Sequence, residues 1–149
     1  MDYNIRNMIQ DDVEKVHASG VEVVEFQASE READETPFWP KEKIRDWLKT
    51  ENDVLLIAEK DEEIIGYFMS LFHIPTGLAY IENVFVEENY RKEGVGDKLF
   101  EKGIKRLKDN GARYVAVLSK PDNYQMHSLL DDRAFNRGNQ FVWRDKILE

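Results

Sequence analysis

The chain has 149 residues, a length typical of one domain that buries a core of its own. It contains no cysteine, which excludes disulfides, a thiol nucleophile and a cysteine-ligated metal, and its three scattered histidines have no metal-ligand spacing. The formal net charge of −9 argues against nucleic-acid binding, and it fits either attraction of a cationic substrate or solubility alone. With no apolar run of membrane-spanning length and no signal-peptide pattern, we expect one soluble, cytoplasmic domain over residues 1–149, without a membrane partner.

The first third of the chain predicts one strand and two helices. Tyr3–Met8 has the pattern of a short strand, and the acidic pair Asp11-Asp12 is placed to cap the amphipathic helix that follows. The polar, acidic stretch Gln27–Thr36 predicts a connection or a frayed helix end, and Lys41–Lys49 predicts a short second helix. Between them, the two large aromatic residues of Pro37–Pro40 either wall a substrate pocket or plug the core beneath a loop.

The middle of the chain predicts three consecutive strands. Val54–Glu59 and Ile64–Ile74 are strand-like and are joined by a polar turn. In Leu78–Val86, apolar residues occupy both odd and even positions, which is typical of a strand buried on both faces. The polar pair Glu82-Asn83 interrupts this strand, and it predicts a β-bulge or a functional site there.

A polar loop with two glycines then leads into an amphipathic helix that ends at Gly111. The loop, Arg91–Gly96, has the sequence RKEGVG. The first amides of a helix have no partner within it, the helix dipole adds partial positive charge, and glycine lets an anion approach the backbone. Arg91 and Lys92 add formal charge at the same point. The alternative is a glycine turn before an ordinary helix, and the loop lacks the complete fingerprints of dinucleotide-binding and P-loop proteins.

The remaining chain predicts one more strand, one helix and a hairpin. The strand is Arg113–Ser119 and the helix is Asn123–Asp132. The hairpin consists of Phe135–Arg137 and Phe141–Leu148 around a turn at Gly138-Asn139. The predicted fold class is mixed α/β: a central mixed sheet of about seven strands with helices on both faces, in the order β-α-α-β-β-β-α-β-α-β-β.

The segment IENVFV (Ile81–Val86) followed by YRKEGVG (Tyr90–Gly96) resembles the acetyl-CoA-binding motif of the GCN5-related N-acetyltransferases, the GNAT superfamily. The order of predicted elements is also similar, so the resemblance covers essentially the whole chain. It implies acetyl-CoA as cosubstrate, no metal, and direct acetyl transfer to a primary amine within a ternary complex. The amine would belong to a small molecule or a peptide, and a homodimer is compatible with the exposed final strands of this family.

The resemblance also implies which residues hold the coenzyme. Loop amides would grip the pyrophosphate, and the backbone of Val84–Val86 would pair with the pantetheine arm like an extra strand. That arrangement requires Leu78–Val86 and Arg113–Ser119 to separate at their ends, with an N–H near Val84 facing the thioester carbonyl. The predicted coenzyme-binding set is Val84, Phe85, Val86, Arg91, Lys92, Glu93, Gly94, Val95, Gly96, Asp97, Asn123 and Ser128.

Three side chains are candidates for the chemistry. Glu82 could take the proton that an alkylammonium must lose before attack, or bind the ammonium, unless it is simply a surface glutamate. Tyr80 is a second candidate on the same strand. The superfamily's proton-donating tyrosine would stand seven residues after Asn123, where this chain has Leu130, so Tyr124 or solvent would serve instead, unless Tyr124 is a solvent-facing aromatic. The missing tyrosine motivates an alternative, a non-catalytic acyl-CoA-binding or regulatory module, and a nucleotide-binding fold unrelated to acetylation is the third.

Overall fold

A computed structural model of the protein describes residues 2–27, 38–142, 144 and 146, and the side chains of all of these except residues 21–27. The chain forms two compact units, Met1–Leu118 and Ser119–Glu149. The first unit carries the sheet and the second carries the last helix. A single domain over residues 1–149 stays a prediction.

The first unit is built on a five-stranded sheet whose spatial order follows the chain. The first four strands are antiparallel neighbours, and the fifth runs parallel to the fourth, so the sheet is mixed as predicted. Four helices accompany these strands in the described chain. The strands are β1 (Asn4–Asn7), β2 (Val54–Lys60), β3 (Glu63–His73), β4 (Leu78–Val86) and β5 (Tyr114–Val117), and the helices are α1 (Val13–Gln27), α2 (Lys41–Trp47), α3 (Val95–Asp109) and α4 (Tyr124–Asp131).

Helices pack on both faces of this sheet. Tyr67 of β3 lies in the apolar cluster formed with Val13 of α1 and Ile44 of α2. Its neighbour Phe68 points to the other face, where its ring lies 5.9 Å from that of Phe100 on α3. Consecutive side chains of a strand alternate between faces, so one strand holds both helical layers together. No helix within the described residues is long and apolar enough to cross a membrane.

The predicted final hairpin is not observed. Phe135–Arg137 and residues 138–142 are not in strands, while residues 143, 145 and 147–149 lie outside the described residues. The amide of Phe135 donates instead to the carbonyl of Leu130, which closes the end of α4. Phe141 and Val142 are 81% and 83% exposed, so their apolar side chains are not packed against the protein. A strand at this point would lack the side-chain burial that stabilises strands. Five strands are therefore described, and the count of about seven is not confirmed.

A glycine lets α3 approach the sheet closely. A Cβ atom at Gly103, in the middle of the helix, would lie 2.5 Å from the ring of Phe68, which is fully buried. Leu99 and Leu107 lie on the same buried face of the helix. The close packing holds α3 against the sheet, and its start lies beside the end of β4, since a Cβ atom at Gly96 would be 3.5 Å from Val86.

Replacing Gly103 by alanine is expected to destabilise the protein by about 1 to 3 kcal/mol, because the added methyl group overpacks the core. Helix propensity alone predicts the opposite, a gain of about 1 kcal/mol. Urea denaturation measures the change, and Glu101→Ala on the exposed face of the same helix is the control. A variant as stable as the parent would show that α3 can move away from Phe68 without cost.

Candidate active site

A β-bulge interrupts β4 at Glu82. Met69 of β3 pairs with Asn83, whereas the next residue, Ser70, pairs with Ile81. Glu82 is therefore an extra residue without a partner opposite it on β3. The bulge predicted from the polar pair in this strand is confirmed, and such bulges occur frequently beside active sites, where they redirect a side chain.

The bulge brings side chains from both halves of β4 to one face. Tyr67 and Leu71 of β3 are four residues apart and point to the same face, and their partners on β4 are Phe85 and Tyr80. Without an extra residue, two positions five apart on one strand would point to opposite faces. The side chains of Tyr80 and Phe85 therefore line the face on which α1 and α2 pack. Glu82 is the extra residue between them, two residues after Tyr80, at the point where the alternation of faces is interrupted.

The carboxyl group of Glu82 has a pKa that the surrounding protein raises. Its side chain is exposed, yet the surrounding protein removes part of its hydration, and this raises the pKa of the carboxyl group above its ordinary value. In the part of the chain that the structure describes, no hydrogen bond or ion pair engages this carboxylate. A carboxylate with a raised pKa and no partner is suited to accept a proton or to bind a cation.

The strands β4 and β5 separate next to Glu82. Their parallel pairing runs from Leu78 opposite Tyr114 to Ile81 opposite Val117, and it ends there. The second half of β4, Glu82–Val86, continues with β3 as its described neighbour. Its backbone therefore has no described strand partner on the side of β5, and it is an open strand edge. The resemblance implied that these strands separate at their ends, and their pairing does stop at Ile81 and Val117. The strand β5 ends two residues earlier than predicted.

The loop before α3 has the geometry of a tight turn. Lys92 and Gly94 both have left-handed backbone conformations, with φ of 66° and 78°. Gly94 is the N-cap of α3, and its carbonyl accepts the amide of Lys98, the first bond of the helical ladder. The amides of Val95 and Gly96 precede that bond and take no part in the ladder. They lie at the positive end of the helix dipole.

Both glycines leave room in front of these amides. A Cβ atom at Gly94 would meet nothing within 4 Å, and one at Gly96 would lie 3.5 Å from a methyl group of Val86, an ordinary contact. Arg91 adds its formal charge here as predicted, and its Nε also donates to the carbonyl of Val86 at 2.9 Å. This bond ties the loop to the end of β4. The side chains of Lys92, Glu93 and Asp97 are exposed.

Three predicted residues belong to the second unit. Asn123 is the N-cap of α4, and its side-chain oxygen accepts the amide of Met126 at 3.1 Å. Tyr124 is 78% exposed and Ser128 is exposed as well. Leu130, which stands at the position of the superfamily's tyrosine, is buried. The other predicted residues belong to β4, to the loop that follows it and to the first three residues of α3.

Tyr67 is a polar residue beneath the candidate site that the sequence did not single out. It is fully buried, its ring stacks on that of Phe85 at 5.2 Å, and its hydroxyl group has no hydrogen-bond partner among the described residues. Burial, with a smaller effect of the charge of Glu87, raises the pKa of this hydroxyl. The only signal in the sequence was its place in an apolar strand, which predicts burial but not a polar function.

Neither a cluster of metal ligands nor the surface depression beside β1 involves the predicted site residues in the described chain. Across the described residues, no group of three or more His, Asp or Glu side chains could hold a metal ion. A depression between β1 and α3 is lined by Tyr3 and by lysines of α3, and none of the predicted site residues borders it. Two of these lysines are already engaged, Lys102 by the carbonyl of Ile5 and Lys105 by Asp109. We therefore place the candidate site at β4.

Comparison with known proteins identifies relatives over most of the chain. The sequence profile of the Acetyltransferase (GNAT) family matches residues 21–135. A mycothiol acetyltransferase of Corynebacterium glutamicum (strain R) is 36% identical over 101 residues, which are 68% of this chain and 34% of that protein. An N-alpha-acetyltransferase of Sulfolobus acidocaldarius is 31% identical over 93 residues, 55% of each chain. The chain thus spans about a third and about half the length of these two relatives.

Solved structures share the fold at low sequence identity. A transcriptional regulator from Bacillus halodurans C-125 has a TM-score of 0.76 at 18% identity, over 97% of this chain and 100% of that one. The aminoglycoside acetyltransferase AAC(6')-Iy, in complex with the bisubstrate analogue CoA-S-monomethyl-acetylneamine, has a TM-score of 0.75 at 17% identity, over 99% and 100%. At these identities the likeness shows the fold alone, whereas the family profile covers more than half of the sequence. The chain therefore belongs to the GNAT acetyltransferase family.

Proposed function

We propose that this protein is an acetyl-CoA-dependent N-acetyltransferase that acts on a primary amine by direct attack within a ternary complex. The observation that carries the proposal is the end of the β4–β5 pairing beside the unpaired carboxylate of Glu82, where a gap between the two strands would admit the coenzyme. A thioester that enters this gap would lie next to a group able to accept the proton of the attacking amine. Membership of the GNAT family supports the same assignment.

The coenzyme would be held mainly by backbone groups. The amides of Val95 and Gly96 at the start of α3 would bind the diphosphate, with the exposed ammonium of Lys92 nearby. The open edge of Glu82–Val86 would pair with the pantetheine arm as a strand adds to a sheet. The room in front of Gly94 and Gly96 supports this assignment, because an anion must approach the backbone closely.

The chemistry begins with the amine. An alkylammonium has a pKa of about 10, so it must lose a proton before its nitrogen can attack. Glu82 accepts that proton, directly or through water, and its raised pKa brings it closer to the pH at which a base works best. The amine nitrogen then bonds to the carbonyl carbon, and the carbon–sulfur bond breaks. The products are an N-acetyl amide and coenzyme A.

The leaving thiolate does not require a dedicated acid. A thiol pKa of about 8.5 lies about 1.5 units from pH 7, or roughly 2 kcal/mol, which is small beside the barrier of the reaction. Solvent, Tyr80 or the exposed hydroxyl of Tyr124 supplies the proton in place of the tyrosine that Leu130 replaces. Asn123 still has its amide NH₂ group to donate to the coenzyme, because the cap of α4 uses only its oxygen. Ser128 is a further candidate contact.

The experiment combines binding with turnover. Calorimetry is expected to detect acetyl-CoA binding at micromolar to sub-millimolar concentration, and a panel of amines is expected to contain at least one that releases free thiol. The second candidate, a non-catalytic acyl-CoA-binding module, is favoured by Leu130 and predicts binding without thiol release on any amine. Absence of binding at millimolar acetyl-CoA would contradict both functions.

A further inference from the structure

The sheet exposes large apolar side chains beside the bulge at Glu82. Leu71 is 41% exposed, Tyr80 is 38% exposed and Tyr114 is 67% exposed. Burial of aromatic and branched side chains usually stabilises a protein. A group of them that stays exposed beside a polar residue is typical of a binding surface.

The strand register brings these side chains together. Tyr80 of β4 lies between Leu71 on β3 and Ala116 on β5, and residues paired directly across strands point to the same face. Tyr114 is two residues before Ala116, so it shares that face. Glu82 is two residues after Tyr80. We call the set Leu71, Tyr80, Glu82, Tyr114 and Ala116 the acceptor surface.

The charge on the acceptor surface comes from one group. Glu82 is its one formally charged member, the others are aliphatic or aromatic, and no described cation pairs with the carboxylate. The strand register also places Asn83 and His73 on the face of Tyr80, and the His73 ring hydrogen-bonds Thr76. A ligand that covers this surface should therefore bring one positive charge, placed at Glu82, and an apolar body over Leu71 and Tyr80. The ring of Tyr80 would add a cation–π contribution to binding of the ammonium.

We propose that the acceptor is a monoamine, with a single primary ammonium carried on an apolar or aromatic body. This inference rests on the proposed function and specifies its substrate class. A polycation or a polyhydroxylated amine would press charges and hydroxyl groups against Leu71, Tyr80 and Tyr114, which offer no matching carboxylates. Those polar groups would lose hydration and would find only the two tyrosine hydroxyls as hydrogen-bond partners among these side chains. The same chemistry is presented by an arylalkylamine and by the free amino terminus of a peptide with an apolar first residue.

Equilibrium binding tests the substrate class without turnover. Calorimetry of the full chain, with and without coenzyme A, compares 2-phenylethylamine with ethanolamine, which carries the same ammonium on a hydrophilic body. 2-Phenylethylamine is expected to bind at least tenfold more tightly. The variant Leu71→Ser should weaken the binding of 2-phenylethylamine about tenfold, because the ligand loses its apolar contact with the exposed part of the leucine side chain. Binding of ethanolamine should be unchanged, because ethanolamine has no apolar body to make that contact. Ile74→Ser, an exposed apolar residue just after β3, is the matched control and should change neither.

Each outcome decides a separate point. Equal binding of the two amines, or tighter binding of spermidine or kanamycin, would overturn the inference. A preference for 2-phenylethylamine without thiol release from acetyl-CoA supports the inference and contradicts the proposed function. Thiol release with hydrophilic amines alone supports the function and overturns the inference.

Two further experiments test whether the amine belongs to a peptide or to a small molecule, and whether a second copy of the chain covers the acceptor surface. A peptide with amino-terminal phenylalanine is compared with its amino-terminally blocked form, and tight binding of the free peptide alone assigns the acceptor to peptides rather than small amines. Sedimentation of the parent and of Leu71→Ser tests coverage by a second copy. A dimer that dissociates in this variant, together with no amine preference, would overturn the inference.

Discussion

Replacing Gly96 by glutamate is expected to raise the dissociation constant for acetyl-CoA by about 100-fold or more, or roughly 2.7 kcal/mol, without lowering the melting temperature. The protein itself has room for the new side chain, because its Cβ would lie 3.5 Å from Val86. An acidic residue in the first turn of a helix is even slightly favourable, by about 0.3 to 1 kcal/mol. The carboxylate would compete for the amides that we assign to the diphosphate, and it would repel that anion.

The control for this variant is Gly96→Ala. It adds the same Cβ atom without a charge, so affinity should stay within a few-fold of the parent. Calorimetry with acetyl-CoA gives the affinities, and thermal unfolding by circular dichroism gives the stabilities. If Gly96→Glu binds acetyl-CoA as tightly as the parent, the diphosphate does not bind at the start of α3. A loss of affinity in the alanine variant as well would point to steric exclusion rather than charge.

Local patterns were sufficient to predict most elements of the first unit. The strand at Leu78–Val86 has the predicted bounds. Its polar pair predicted a bulge or a functional site, because a regular strand that is buried on both faces has no place for two adjacent polar side chains, and a bulge is found there. The capping role of Asp12 was predicted from its position before α1. Its carboxylate in fact accepts the backbone amide of Ile9 and binds Arg6, which joins the helix start to β1.

Features that depend on distant residues could not be predicted in the same way. The face of the sheet on which the side chains of Tyr80 and Phe85 lie depends on how β4 is aligned with β3, and that alignment is set by residues of both strands. The hydrogen bond from the Nε of Arg91 to the carbonyl of Val86 likewise depends on how the loop folds back on β4. The final hairpin was predicted from a local apolar pattern at Phe135 and Phe141, although a strand also needs a neighbour and a face to bury. Sequence alone supplied neither.

Exchange of Glu82 for glutamine is expected to lower kcat/KM for acetyl transfer by about 100-fold or more, because an amide cannot accept the proton of the ammonium. The affinity for acetyl-CoA should be unchanged, since the proposed coenzyme contacts in this strand are backbone groups. Thiol release measured from pH 6 to pH 9 reports the change. Glu88→Gln, at an exposed residue in the turn after β4, removes the same formal charge and should retain the parent rate. Full activity of Glu82→Gln at every pH would show that Glu82 is not the base.

The same variant should be more stable than the parent at neutral pH, and this second readout separates a desolvated base from an ordinary surface glutamate. The folded state raises the pKa of Glu82 above its unfolded value, so folding favours the protonated form. The stability from that preference is present below the ordinary pKa and is lost as the pH rises through the raised folded value. At pH 7 the ionised carboxylate is therefore a net cost, which glutamine removes. The melting temperature of Glu82→Gln should exceed that of the parent at pH 7, and the two should converge below pH of about 4, where Glu82 is protonated in both states. A surface glutamate would show neither the gain in stability nor its pH dependence, and Glu88→Gln supplies that comparison.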